Sequence, residues 1–268
     1  MTRIRHAAVA GRFYPADPAE LELAVRQYIG DATPSVTLPK AIIVPHAGYP
    51  FSGPIAGTGY AQIVPLREEI ERVVLLGPAH YVPVHGIAAS TADAFETPLG
   101  WIPLDREAID SIAALPQVAF HDDAHAPEHS LEVQLPFLQV ALQDFRLVPL
   151  LVGSAEPDAV AEVLERLWDG PETLVVISSD LSHFHDHATA TRLDGQTADA
   201  ISEFRIAELR GERACGFLPI GGMLALAKRD GLHPAILDVR NSGDTAGSKD
   251  RVVGYGAFVF SAIEPDNG

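Results

Sequence analysis

Residues 173–187 read TLVVISSDLSHFHDH, and their composition changes halfway along. Leu174, Val175, Val176 and Ile177 form an apolar, mostly β-branched run, the composition of a strand buried on both faces. The chain then passes at once into Ser178, Ser179 and Asp180, followed by His183, His185 and His187 at alternate positions. A buried strand that ends in titratable groups is how an open α/β sheet presents chemistry at its carboxyl edge. Two earlier stretches repeat the layout: AIIVPHAGY at 41–49 carries His46 past an apolar run, and RVVLLGPAHY at 72–81 carries His80.

Outward from these junctions, strands and helices alternate. Asp17-Pro18 reads as the N-cap and first residue of a helix that closes at Gly30. Strands are expected at 40–45, 72–77, 86–90, 145–152, 235–239 and 252–261, and a hairpin at FETPLGWIPLD, 95–105. Helices are expected from Pro54 to about Val64, from Asp105, across 131–142, from Pro157, across 188–209 and from Pro219. His129 and Glu132, three apart, would share a face of the helix across 131–142. No repeat, low-complexity tract or shift of composition divides the chain. The expectation is one domain over residues 1–268, a three-layer α/β/α sandwich around a mostly parallel or mixed sheet.

Composition narrows the function. The formal charge of −17 would repel phosphate backbones and anionic lipid, so neither nucleic acid nor a membrane surface is expected as a partner. The first residues lack the apolar core of a signal peptide, and no run approaches the roughly 18 apolar residues of a membrane helix. Cys215 is the single cysteine, so no intrachain disulfide can form, and a reducing cytoplasm is the expected setting.

His46, His80, Asp180 and His183 stand at expected carboxyl ends of strands, and Cys215 lies in a loop, RACGFLP, just before a helix. Imidazoles together with a thiolate suit zinc, iron or copper, but ligands drawn from distant segments obey no compact spacing. The same residues admit a cysteine nucleophile with His183 as base and Asp180 as its orienter. The remaining histidines (His85, His121, His125, His185, His187 and His233) are read as ordinary surface or hydrogen-bonded residues.

Eight segments then occur in a telling order: AGRFYPADP at 10–18, VPHAGYPFSG at 44–53, GPAHY at 77–81, TPLG at 97–100, EHSLEVQLPFL at 128–138, SSDLSHF at 178–184, CGFLPI at 215–220 and DRVVGYGAF at 250–258. Together they resemble the Memo family, known in prokaryotes as AmmeMemoRadiSam system protein B. The resemblance implies a fold similar to the LigB-type class III extradiol dioxygenases. It implies His46, His80 and Cys215 as a metal cluster, with iron or copper favoured and zinc admissible. His183 would take the position of the dioxygenases' acid/base histidine, with Asp180 beside it. His129, Glu132, Tyr49 and Tyr81 would form a surrounding shell or touch substrate. Cysteine stands where the dioxygenases carry glutamate, and a softer, oxidisable thiolate argues against ordinary catechol cleavage. This chain departs from the common family pattern in GPAHY, which lacks the usual serine before and histidine after His80, and at Ser182, where cysteine is frequent. The reading that follows is a metal-dependent redox protein acting on a small molecule or peptide in the cleft, with a radical-SAM protein as a pathway partner. The alternative is a non-catalytic module that binds a peptide or protein in the same cleft.

Overall fold

The computed structural model describes residues 2–35, 38–168 and 170–262. Its strands are β1 (Ile4–Arg5), β2 (Pro39–Val44), β3 (Arg72–Pro78), β4 (Ile87–Ala89), β5 (Ala94–Thr97), β6 (Gly100–Pro103), β7 (Val118–Phe120), β8 (Arg146–Val152), β9 (Thr173–Ser178), β10 (His183–His185), β11 (His233–Asn241) and β12 (Val252–Ser261). The main sheet runs β12-β2-β9-β3-β8-β4-β7, with β11 along β12 and β10 paired to the first residues of β12. Its centre, β2-β9-β3-β8, is parallel, and the outer pairings β12-β2 and β4-β8 are antiparallel. The sheet is therefore mixed. The four apolar runs at 42–44, 73–76, 147–150 and 175–177 are its central strands. Every residue of β9 is buried, as strands covered on both faces must be.

The cover comes from α1 (Pro18–Gly30), α2 (Tyr49–Ala61), α3 (Arg106–Ile112), α4 (Asp122–His125), α5 (Leu135–Ala141), α6 (Pro157–Leu167), α7 (His187–Ser202) and α8 (Phe217–Arg229). Helices α1, α2 and α5 pack on one another, with α2 against β2 and β12; α3, α6 and α8 form a second group, with α8 against β3 and β9. This is an α/β/α arrangement. The hairpin at 95–105 forms as β5 and β6, but it joins β1 in a small separate sheet. No helix among the described residues is long and apolar enough to cross a membrane.

Asp17 caps α1 by accepting from the amides of Ala19 and Glu20, and Asp105 caps α3 by accepting from that of Ala108. Other boundaries differ from the sequence expectation. Helix α2 begins at Tyr49, where Pro50 occupies the first turn, and Pro54 lies inside it rather than opening it. The helix expected across 131–142 is split into a single 3-10 turn at Glu132–Gln134 and α5, whose first turn holds Pro136. The helix expected to reach 209 ends at Ser202.

Candidate metal centre

Strands β2, β3 and β9 are parallel neighbours, so the segments leaving their carboxyl ends meet at one edge. Those segments carry His46, His80 and Asp180. Cys215 arrives from the loop before α8, which lies against the end of β9 because Gly216 has no side chain. A Cβ there would sit 2.7 Å from Ser179 Cβ and 2.9 Å from the Ser178 carbonyl oxygen. Gly216 instead donates its amide to Ser179 Oγ at 2.9 Å.

The result is compact. Cys215 Sγ lies 3.4 Å from His46 Nε2, and one ligand atom from each of His46, His80 and Cys215 fits within 4.8 Å of the others. The His46 and His80 rings meet edge to face at 5.3 Å. His129 completes a trio of imidazoles, 5.4 Å from His46 and stacked on His80 at 4.8 Å.

The hydrogen-bond network sets the tautomer of His46. Ser178 Oγ donates to the Ser130 carbonyl at 2.6 Å, so its single proton is committed. It must then accept from His46 Nδ1–H, 2.8 Å away, as it does from Gln134 Nε2 at 2.8 Å. The lone pair of His46 is left on Nε2, facing Cys215. Burial, with His129 and His80 adding repulsion, lowers the His46 pKa well below the ordinary value and keeps the ring neutral. Neutral imidazole is the form a metal needs.

Burial and the neighbouring Asp180 carboxylate push the Cys215 thiol up to about 12. The Asp180 amide lies 3.3 Å from Sγ, a donor that suits a sulfur carrying negative charge. Asp180 Oδ1 accepts the His46 amide at 2.8 Å, and burial raises the Asp180 pKa against that bond. His183 is half-buried on β10, and its ring lies against Phe184 at 5.6 Å.

Glu128 was absent from the residues read as functional in the sequence. Its Oε1 lies 2.9 Å from His80 Nδ1 and 3.2 Å from His129 Nδ1, the latter off the hydrogen-bond axis. Burial would raise its pKa, but the adjacent His129 and His80 rings and the His80 amide hold the carboxyl well below the usual range. The sequence hints were its place beside His129 and at the head of the EHSLEVQLPFL segment, since the bond to His80 spans 48 positions.

Two residues expected around the site face elsewhere. Glu132 is fully buried and ion-paired with Arg5, and it accepts from the amides of Ala8 and Val9 and from the Tyr14 hydroxyl. With the 131–142 helix split, Glu132 anchors the amino-terminal segment, and its oxygens are already taken. The Tyr49 hydroxyl donates to the Val133 carbonyl at 2.8 Å within the core. Tyr81, half-exposed, meets His129 edge to face at 5.6 Å, and Phe13 lies on the same imidazole at 4.6 Å. Among the other histidines, His125 is buried against the Ala88 carbonyl and His187 pairs with Asp244.

The family described as Memo-like protein matches residues 5–259. A MEMO1 family protein of Sulfolobus acidocaldarius is 35% identical over 277 residues, covering 94% of this chain and 97% of its own. That of Aquifex aeolicus is 37% identical over 269 residues, covering 96% and 99%, and that of Methanopyrus kandleri is 36% identical over 280, covering 96% and 98%. Among solved structures, that of the uncharacterized protein JW3007 from Escherichia coli K12 superposes with a TM-score of 0.50 over 80% of this chain and 98% of that one. At 14% identity the likeness speaks for the fold alone.

Proposed function

The chain belongs to the Memo family, and from that premise we propose a metal-dependent redox protein whose His46, His80 and Cys215 hold iron or copper. The observation that carries the reading is the convergence of two imidazoles and a thiol at one point, with the lone pair of His46 aimed at the sulfur. That donor set favours a borderline or soft ion, and zinc fits it as well. When bound, iron or copper would supply a redox-active Lewis acid beside a small molecule or peptide in the cleft. In this reading Cys215 gives up its proton on metal binding, and the Asp180 amide supports the sulfur's charge. Asp180 holds the His46 backbone in place, and His183 moves a proton to or from the substrate, the role implied by its resemblance to the dioxygenases' acid/base histidine. A reducing cytoplasm would keep the sulfur available, and a radical-SAM protein would act in the same pathway.

The raised thiol pKa counts against a metal-independent cysteine nucleophile. Non-catalytic binding in the cleft is favoured by one feature, the exposure of Tyr81 and Phe184 beside His129 and His183. Metal analysis of protein purified without an affinity tag separates these readings. Bound iron or copper, or uptake of one equivalent of Fe(II), copper or zinc by stripped protein, is the expected result. No metal at purification and no uptake afterwards would leave the binding module as the better account.

A further inference from the structure

Glu128 grips one residue of the site at both its backbone and its ring. Glu128 Oε2 accepts the His80 amide at 2.6 Å, and Oε1 lies 2.9 Å from His80 Nδ1. Oε1 also accepts the amides of His129 at 3.0 Å and Ser130 at 2.9 Å. The carboxylate is buried, and Arg5, itself buried, donates to its backbone carbonyl and to that of His125. The segment bearing Glu128 is thus tied down from behind while its side chain faces the imidazoles.

An ionised carboxylate accepts and never donates. The His80 nitrogen that faces it must therefore carry the hydrogen, and in the neutral ring the lone pair is then on Nε2. His46 reaches the same state through Ser178. Two unlike devices, a serine committed to a carbonyl and a buried glutamate, leave both imidazoles with the same free nitrogen. The grouping of Glu128 with His80 and His129 also resembles a ligand set of its own. Its oxygens, however, are already occupied by three backbone amides and a ring N–H, which suits an orienting group better than a ligand.

We propose that Glu128 is the positioning residue of the metal centre, fixing His80 as its Nδ1–H tautomer and presenting Nε2 to an ion shared with His46 and Cys215. The role as a metal-site residue rests on the metal-binding reading above, whereas the tautomer it imposes does not. A partner of this kind also makes the ligating nitrogen more basic, and its loss typically weakens metal binding by roughly 10–100-fold.

Two measurements on the full chain test this. In metal-free protein at about pH 8, above the ordinary imidazole range, nitrogen-15 spectra report both the protonation and the tautomer of each ring. His80, assigned by comparison with His80→Ala, should be the Nδ1–H form, and in Glu128→Gln it should shift toward Nε2–H. Wild-type His80 as Nε2–H would overturn the proposal without reference to metal or to any variant's folding. In calorimetric titration with zinc, wild type should take one equivalent and Glu128→Gln should bind it roughly 10–100-fold more weakly, with unchanged stoichiometry. Equal affinity in the two proteins would overturn the positioning role while leaving the metal reading intact. Loss of a distinct second equivalent would make Glu128 a ligand and likewise overturn it. If wild type binds no zinc, iron or copper, the metal reading fails, and the tautomer alone decides what Glu128 does.

Discussion

At the scale of single residues, the molecule stores an electrostatic cost behind the site. Asp194 of α7 is buried, accepts the Ser182 amide at 2.9 Å, and has its Oδ2 without a hydrogen-bond partner among the described residues. Burial, opposed by the bond from Ser182, pushes its pKa up to about 6 from the ordinary 3.8. The folded state therefore holds this proton more tightly than the unfolded chain. The contribution to stability is full below the unfolded pKa and is lost as pH rises toward the folded one. A difference of that size corresponds to about 3 kcal/mol at most. An asparagine in place of Asp194 would have no proton to lose. Asp194→Asn should therefore gain stability relative to wild type as pH rises from about 4 to about 7, by up to roughly 3 kcal/mol. Denaturant unfolding at both pH values checks it, and a constant difference between the proteins would show that Asp194 does not titrate differently on folding. Neither Asp194 nor Glu128 was legible in the sequence as functional. Each is an ordinary acidic residue in a helix or loop until folding brings its amide donors to it.

At the scale of elements, α2 shows what periodicity reveals and what it hides. Helix α2 is rich in glycine, and nine of its residues are buried, so it has no clean polar face to read. Two of its glycines, Gly53 and Gly57, serve close approach to α1. A Cβ on Gly57 would lie 2.3 Å from the Tyr28 carbonyl oxygen, and one on Gly53 would lie 2.6 Å from the Tyr28 ring. The first clash is with backbone and can be relieved only by parting the two helices. Overpacking of this kind costs roughly 1–3 kcal/mol, offset partly by the better helix propensity of alanine. Gly57→Ala should thus lower stability by about 1–2 kcal/mol. Gly30→Ala, at the end of α1 where a Cβ meets nothing within 4 Å, should change it little. Equal stabilities for the two variants in chemical denaturation would mean that α1 and α2 separate without cost. The central strands were legible because a doubly covered strand is apolar throughout. The start of α2 was not, because Gly48 caps it without a side chain and Pro50, rather than Pro54, sits in its first turn.

At the scale of the whole molecule, the site is a property of topology. His46, His80 and Asp180 follow three adjacent parallel strands, and Cys215 precedes a helix on the far face, so no local spacing encodes their meeting. The sequence showed histidines at strand ends; the strand order that makes them neighbours is a long-range pairing, which the resemblance to a family supplied and the residues alone did not. The same topology makes a test available. An ion held by His46, His80 and Cys215 would join segments that are far apart in the chain, and it would bind only the folded protein. Ligand at 100 times its dissociation constant adds about 2.7 kcal/mol, which for a chain of this size raises Tm by roughly 5–10 °C. Stripped protein should therefore melt lower than protein loaded with zinc or Fe(II), with most of the shift lost in Cys215→Ala and His46→Ala. His183→Ala should keep it, because His183 is assigned to proton transfer and lies outside the cluster of three ligand atoms. A His183→Ala protein that loses the shift as completely as His46→Ala would move His183 from proton transfer into the ligand set. A shift surviving in Cys215→Ala at full size would leave the two histidines, without the sulfur, as the ion's protein anchor.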